Sequence, residues 1–553
     1  MLLNTKIREL IVNSIEIMQK NNFFQEEFDA DKVGFLVSLP NLPEHLEDEE
    51  IKYDLSTNVA FLLKKYVKTS PLNIANELVN ILMQNTDVFV KIDVAMPGFI
   101  NIVLKDEVFN EVLLNANKEG FKYGANQFEP TKINVEYISA NPTGFLHVGH
   151  VRGAVYGDSL IKIYRHAGYQ VESEYYVNDA GNQINVLANS AKVRYFELFG
   201  QTLEMPEESY KGQDIVWAVE QIKNKKGDYY LNDFESKYQE FKTEVKDILL
   251  EKIKYDLSKL NIGNFDTFSS ELSILQNGAV DEALEKMKEY TYHKDGALFL
   301  KTTEFKDDKD RVLIKSDGSN TYLLPDIAYH LTKFKKADRL INIWGADHSG
   351  YVERMKAALK ILGYDDNRLD VLIIQLVRLI KNGEEFKMSK RAGTSVTLSD
   401  LLEVSSPDAV RFMMLTREIN NKFDFDIDFS NSANSSNPVY IVQYAHSRTV
   451  SLLNNLVKPD LSLKSFNLSY KAKKIVLAID EFPSLIKTIV ETSKVNLMSQ
   501  YLLNLAKLFN SFYSETKLKG HENEAEYAYL VSVVQLVLRL GLGLIGVSAP
   551  ENM

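Results

Sequence analysis

Between about residues 129 and 376 the chain alternates short apolar runs with helical stretches, and that alternation leaves few architectures open. Strands separated by helices cannot form a meander of hairpins. Each helix crosses back over the sheet, so successive strands lie parallel and the sheet is covered on both faces. Residues 132–139 read as a buried strand with Ile133, Val135 and Tyr137 on one face, and 151–167 as the helix that follows. Residues 339–344 and 370–377 read as further central strands. The expected fold class is α/β, with a Rossmann-like parallel sheet at its centre.

The flanking stretches have other patterns. Residues 1–120 mix helical periods with extended runs at 88–92 and 99–104, which predicts a small α+β unit. Within the alternating stretch, residues 200–270 are polar and keep Phe241, Val245, Ile248 and Leu249 at helical spacing, so an insertion is expected there. Residues 399–430 are mixed and end in the alternating run Phe423-Asp424-Phe425-Asp426-Ile427-Asp428-Phe429. From 431 to 553 the pattern is helical, with one stripe at Tyr501, Leu505, Leu508 and Phe512 and another at Val533, Val534, Val537, Leu538 and Leu542. The expected division is therefore 1–120, 121–398, 399–430 and 431–553, in keeping with a chain of 553 residues that is too long for one core.

Composition excludes some chemistry. With no cysteine there is no disulfide framework and no thiolate zinc site, which fits a reducing compartment. The net charge of -12 weighs against a phosphate-binding surface overall, although net charge does not report local patches. The first helical stretch carries Lys6, Arg8 and Glu9 among its apolar residues and lacks the apolar core of a secretory signal. Residues 529–547 come nearest to a membrane span, but Gln535, Arg539 and the glycines predict a buried bundle helix. A cytoplasmic protein with no membrane partner is expected.

Two segments carry chemistry. Ser139-Ala140-Asn141-Pro142-Thr143-Gly144-Phe145-Leu146-His147-Val148-Gly149-His150 lies between a predicted strand and a predicted helix. Helix N-termini present unsatisfied N–H groups and favour anions. Gly149 lets a flat ring approach the backbone, and His147 and His150 supply donors for phosphate oxygens. Either histidine alone reads as a surface residue. Two of only 9 in the chain flanking one glycine point to a nucleotide site. A zinc site would need a third ligand, and none has a convincing spacing.

The second segment follows an Asn382-Gly383 hairpin signal and reads Phe386-Lys387-Met388-Ser389-Lys390-Arg391-Ala392-Gly393-Thr394. Taken alone it is a solvated basic loop. Paired with the histidine turn, it is a loop whose lysines can neutralise charge on a departing pyrophosphate.

Together these segments resemble the HIGH and KMSKS signatures of class I aminoacyl-tRNA synthetases, here HVGH and KMSK followed by Arg391. The wider strings narrow the resemblance to bacterial arginyl-tRNA synthetases over nearly the whole chain. They include Val135-Glu136-Tyr137, Tyr175-Tyr176-Val177-Asn178-Asp179-Ala180-Gly181-Asn182-Gln183, Thr321-Tyr322-Leu323-Leu324-Pro325-Asp326, Gly345-Ala346-Asp347-His348 and Gly546-Val547-Ser548-Ala549-Pro550-Glu551. Ser56-Thr57-Asn58 and Pro97-Gly98-Phe99-Ile100-Asn101 resemble that family's own N-terminal domain.

The resemblance implies an enzyme that joins L-arginine to tRNA(Arg) using ATP, with Mg²⁺ carried by the triphosphate. It implies catalytic roles for His147, His150, Lys387 and Lys390. ATP would be held by those residues with Gly149, Gly345, Asp347, Met388 and Ser389. Arginine would be held by Glu136, Ser139, Asn141, His150, Tyr322, Asp326 and His348. Read from its own position, Asp326 serves equally well as a helix N-cap. The family further implies an N-terminal domain at the tRNA elbow, a stem-contacting segment at 399–430 and a helical anticodon-binding domain at 431–553, in a monomer. Asn58, Tyr440, Gln443, Tyr444 and Arg448 are the expected tRNA contacts. Aromatic rings and a cation can stack unpaired bases, and the same side chains can equally be bundle packing.

Overall fold

The computed structural model describes residues 3–40, 52–84, 87–386 and 396–553. The alternating stretch forms five strands that all run parallel. In chain order they are β1 (Lys132–Glu136), β2 (Gln170–Val177), β3 (Thr267–Ser270), β4 (Arg339–Gly345) and β5 (Leu369–Ile374), and their spatial order is β5-β4-β1-β2-β3. The chain builds outward from β1 through β2 to β3, then returns to the opposite side of β1 at β4. Connections on the two sides leave in opposite directions, so a crevice opens beyond the C-terminal ends of β1 and β4.

Strand β1 is shorter than its pattern predicts. It stops at Glu136 because Ile138 and Ser139 take positive φ values of 70° and 41°. The Ser139 N–H donates to the Tyr137 carbonyl at 2.9 Å and closes a three-residue turn. A β-branched residue at positive φ is strained, and such strain persists only where neighbours enforce it. Here the Ser139 hydroxyl donates to Glu136 Oε1 (3.2 Å) and accepts from the Tyr176 N–H (3.1 Å). The Tyr175 hydroxyl donates to the Ala140 carbonyl at 2.7 Å. The 20-residue helix Val148–Ala167 follows, buried along most of its length.

The insertion differs from its predicted limits. Helices Asn182–Glu197, Gln213–Lys226 and Phe234–Lys259 share a separate core that includes Leu187, Tyr195, Ile215, Phe241, Val245 and Leu249. Ile253 and Leu257 of the long helix instead join the main core. The end of the predicted insertion, Thr267–Ser270, is the edge strand β3, paired with Glu174–Val177. Four residues reading Thr-Phe-Ser-Ser carry no apolar run by which a strand could be recognised. The run read as one strand over 370–377 is also two. It breaks after Ile374, and Val377–Lys381 pairs with Glu384–Glu385 and with Phe423–Asp426 in a second sheet. Asn382 and Gly383 make the hairpin turn at φ 52° and 78°.

The N-terminal residues form a four-stranded antiparallel sheet, in the order Val37–Ser38, Leu55–Thr57, Phe99–Leu104 and Phe89–Ala95, packed with helices. The C-terminal residues form long helices Pro438–Asn455, Tyr470–Thr492, Asn496–Glu515 and Glu524–Leu544. Glu524–Leu544 is long and apolar enough to cross a membrane, but Val533, Val534, Val537, Leu538 and Leu542 are buried in the bundle.

Arg411 ties these parts together. Its buried guanidinium donates to the Leu260 carbonyl (2.7 Å), to the Ile545 carbonyl (2.8 Å) and to the Asp158 carboxylate. A Cβ on Gly546, which has φ 68°, would strike that guanidinium. Removing one partner of a buried pair leaves the other charge poorly compensated. Arg411→Met would leave Asp158 with Lys162 at 2.7 Å. It is expected to cost about 3 kcal/mol, read as an earlier urea midpoint in tryptophan fluorescence.

Candidate active site

Two adjoining cavities fill the crevice. The larger, 750 Å³, is lined by residues that include Asn141, His147, Gly149, His150, Gln183, Gly345 and Asp347. The smaller, 410 Å³, includes Glu136, Tyr176, Glu271, Tyr322, Asp326 and Tyr351. Ile138, Ser139, Asn178, Ile343, Gly345 and His348 line both, so the turn after β1 and the end of β4 form the common wall.

In the larger cavity the histidine turn caps its own helix. His147 Nδ1 accepts the Gly149 N–H at 3.1 Å, and His150 Nδ1 accepts the His147 N–H at 3.3 Å. A ring nitrogen that accepts a backbone N–H carries no proton, so in each neutral imidazole the proton resides on Nε2. The rings lie 3.8 Å apart. Loss of hydration lowers both pKa values, and His147 beside it lowers His150 further, to about 4. Both histidines are therefore neutral N–H donors at physiological pH, suited to phosphate oxygens without repelling one another. Gly149 is required by this arrangement, since a Cβ there would lie 2.8 Å from the His147 ring.

Lys387, Met388, Ser389 and Lys390 lie outside the described residues. The chain beyond them returns directly to the histidine turn. Val148 N–H donates to the Val396 carbonyl (3.0 Å), Leu398 N–H donates to the Leu146 carbonyl (2.7 Å), and His147 bridges Thr397.

The smaller cavity is acidic. Asp326 lies in the first turn of helix Leu323–Phe334, whose N-cap is Tyr322, so its N-cap reading does not hold. Burial raises its carboxyl to about 7; the Tyr351 hydroxyl, donating at 2.8 Å, opposes this, and the Glu136 and Glu271 charges add to it. Glu271 is 8% exposed, and burial raises its pKa against the effect of a Tyr176 hydrogen bond. Glu136 Oε2 accepts from the buried Lys333 ammonium at 2.8 Å. Tyr322, 79% exposed, stands at the mouth. Asn141 donates to Gln183 at 2.8 Å. Carboxylates and tyrosine hydroxyls around so small a volume form acceptors for a planar cation.

Sequence reasoning missed Glu271, Tyr351 and Lys333. Tyr176 and Asn178 lay inside a quoted string without a role. Glu271 opens a short helix after the unrecognised edge strand β3, and no motif marks it.

The expected tRNA contacts lie outside this crevice. Tyr440 and Tyr444 stack at 5.5 Å, and Arg448 covers the Tyr444 and Tyr513 rings at 4.5 and 4.6 Å. Gln443 donates to Asp408 (2.8 Å) and Ser548, holding the C-terminal tail. Asn58 accepts the Leu36 N–H at 2.9 Å beside a 420 Å³ cavity in the N-terminal sheet.

Comparison with known proteins bears on this geometry. Residues 108–448 match the family "tRNA synthetases class I (R), catalytic domain". Residues 5–104 match the arginyl tRNA synthetase N-terminal domain and 442–553 the DALR anticodon binding domain. The arginine–tRNA ligase of Bacillus subtilis is 42% identical over 93% of this chain and 95% of its own length. That of Mycoplasma mobile is 43% identical over 90% and 94%. The chain belongs to the arginine–tRNA ligase family. The arginyl-tRNA synthetase of Thermus thermophilus, at 21% identity, shares the fold over 100% of both chains with a TM-score of 0.74. The three matched domains of this ligase family account for the N-terminal sheet, the parallel-sheet crevice and the helical bundle in turn.

The raised Asp326 carboxyl has a consequence for stability. Its pKa moves from 3.8 to about 7, so ionisation weakens the folded state progressively as pH rises between those values. Asp326→Asn is expected to stabilise the protein at pH 8 by roughly 1–3 kcal/mol, and to leave melting unchanged near pH 4.

Proposed function

We propose that the chain is an arginine–tRNA ligase whose two cavities hold arginine and ATP side by side. A carboxylate oxygen of arginine attacks the α-phosphorus of ATP, the bond to the β-phosphate bridge breaks, and pyrophosphate leaves. The 2′-hydroxyl of the terminal adenosine of tRNA(Arg) then attacks the adenylate carbonyl, and AMP leaves. Neither step calls for a strong protein base, so positioning and charge stabilisation dominate. The observation that carries this reading is the acidic cavity opening, across the Ile138–Ser139 turn, into the cavity of the neutral histidine donors.

In this reading Asp326, Glu136 and Glu271 receive the guanidinium, with Tyr322 at the mouth. Ser139, Asn141, His150 and His348 hold the α-amino and carboxylate end. His147, His150 and Gly149 meet the phosphates, and Gly345 and Asp347 sit at the ribose. Lys387 and Lys390, with Met388 and Ser389 between them, neutralise the leaving pyrophosphate, and the pairing of Val396–Leu398 with the histidine turn supports bringing them there. Among the described residues no group of three or more His, Asp or Glu is arranged to hold a metal ion. Mg²⁺ would enter with the triphosphate and supply charge neutralisation. Tyr440, Tyr444 and Arg448 suit stacking against unpaired anticodon bases, and Asn58 an N-terminal tRNA contact. Gln443 supports its helix through Asp408. We place the enzyme in the cytoplasm as a monomer.

The test is ATP–pyrophosphate exchange and tRNA charging with each amino acid in turn. Arginine alone should support both, exchange being stimulated by tRNA(Arg); activity with another amino acid in its place would overturn the assignment. Lys390→Ala should slow adenylate formation in single turnover by about 100-fold or more while changing arginine affinity little.

A further inference from the structure

Behind the acidic cavity lies a buried cation that the reaction as described does not use. Lys333 is 3% exposed and lines neither cavity. Its ammonium donates to Glu136 Oε2 (2.8 Å) and Asn342 Oδ1 (2.9 Å) and rests 4.9 Å from the Tyr329 ring centre. Asn342 Nδ2 donates to His330 Nε2 at 2.7 Å, and His330 Nδ1 donates to the Asp326 backbone carbonyl at 2.7 Å. A closed polar chain thus joins the side chain of Glu136 to the backbone of Asp326.

We propose that Lys333 is a positioning residue for arginine recognition: its ammonium balances the neighbouring carboxylates and fixes Glu136, so that the carboxylate presents its remaining oxygen to the guanidinium. The inference rests on the arginine pocket assigned above. Glu136 faces Glu174 across β2, Tyr176 from the same strand, and Glu271 from the helix after β3. Helix Leu323–Phe334 adds Asp326, Tyr329, His330 and Lys333, the mouth adds Tyr322, and the segment after β4 adds His348 and Tyr351. Lys333 is the one lysine or arginine in this set; His330 is held neutral, its pKa lowered to about 3 by burial. Carboxylates crowded in a low-dielectric site take up protons, and a protonated carboxyl loses acceptor capacity. The ammonium in the wall opposes that uptake without occupying the space the substrate needs. It also engages only Oε2, while Ser139 shares Oε1, so the orientation of the carboxylate is set before arginine arrives.

The test compares Lys333→Met with the unsubstituted enzyme in tRNA charging across pH 6.5 to 9. The substitution should raise the arginine KM by about 30-fold at pH 6.5 and by less than about 3-fold at pH 9, with kcat at saturating arginine nearly unchanged. An equal rise at every pH, or no rise, would overturn the proposal. Should the variant not fold, calorimetry of arginine binding to the unsubstituted enzyme at pH 7 in buffers of different ionisation enthalpy decides. Release of at most about two protons, from Asp326 and Glu271, agrees with the proposal, and release of about three contradicts it. If the unsubstituted enzyme shows no affinity for arginine, the pocket assignment itself falls.

Discussion

The turn that ends β1 at Glu136 governs the rest of the site. Had the strand run on to Ser139, as its alternation suggests, Ile138 and Ser139 would have continued the sheet and closed the crevice at the switch point. Two successive positive φ values bend the chain away there. The turn is held by a serine that satisfies a carboxylate and a neighbouring backbone N–H at once. Glu136 is thereby left at the strand end, Ser139 and Asn141 on the crevice wall, and His147 at the start of the next helix.

The two halves of the crevice differ in charge for physical reasons. On one side the imidazoles are neutral because their Nδ1 atoms are committed to backbone N–H groups and burial disfavours their cations. They offer hydrogen bonds to a polyanion without demanding a counterion. On the other side carboxylates are concentrated in a small volume, and their mutual repulsion is moderated by one buried ammonium and by tyrosine hydroxyls.

The alternation of strands and helices, the hairpin at Asn382-Gly383 and the bundle stripes were legible because each rests on local pattern. Strand β3 was not, because an edge strand of four polar-leaning residues gains its conformation from pairing with β2 rather than from its own sequence. The same cause hid Glu271, which β3 delivers to the cavity. Lys333 was hidden differently. A lysine on a helix reads as solvated, and only the neighbouring Glu136 and Asn342 make its burial tolerable. Glu136 and Asp326 were legible through a resemblance and not through spacing, since they lie far apart in the chain and meet only across the switch point. Gln443, expected as a nucleic-acid contact from its place among aromatic residues, donates its amide to Asp408 and to Ser548 of the C-terminal tail.

Recognition of a guanidinium by fixed carboxylates is tested most directly by calorimetric binding of L-arginine and L-citrulline at pH 8. The two differ by an imino nitrogen replaced with oxygen, which removes the positive charge while keeping length and shape. Arginine is expected to bind more tightly by about 100-fold or more, as two charge-assisted hydrogen bonds imply. Equal affinities would contradict a site whose selectivity comes from its carboxylates.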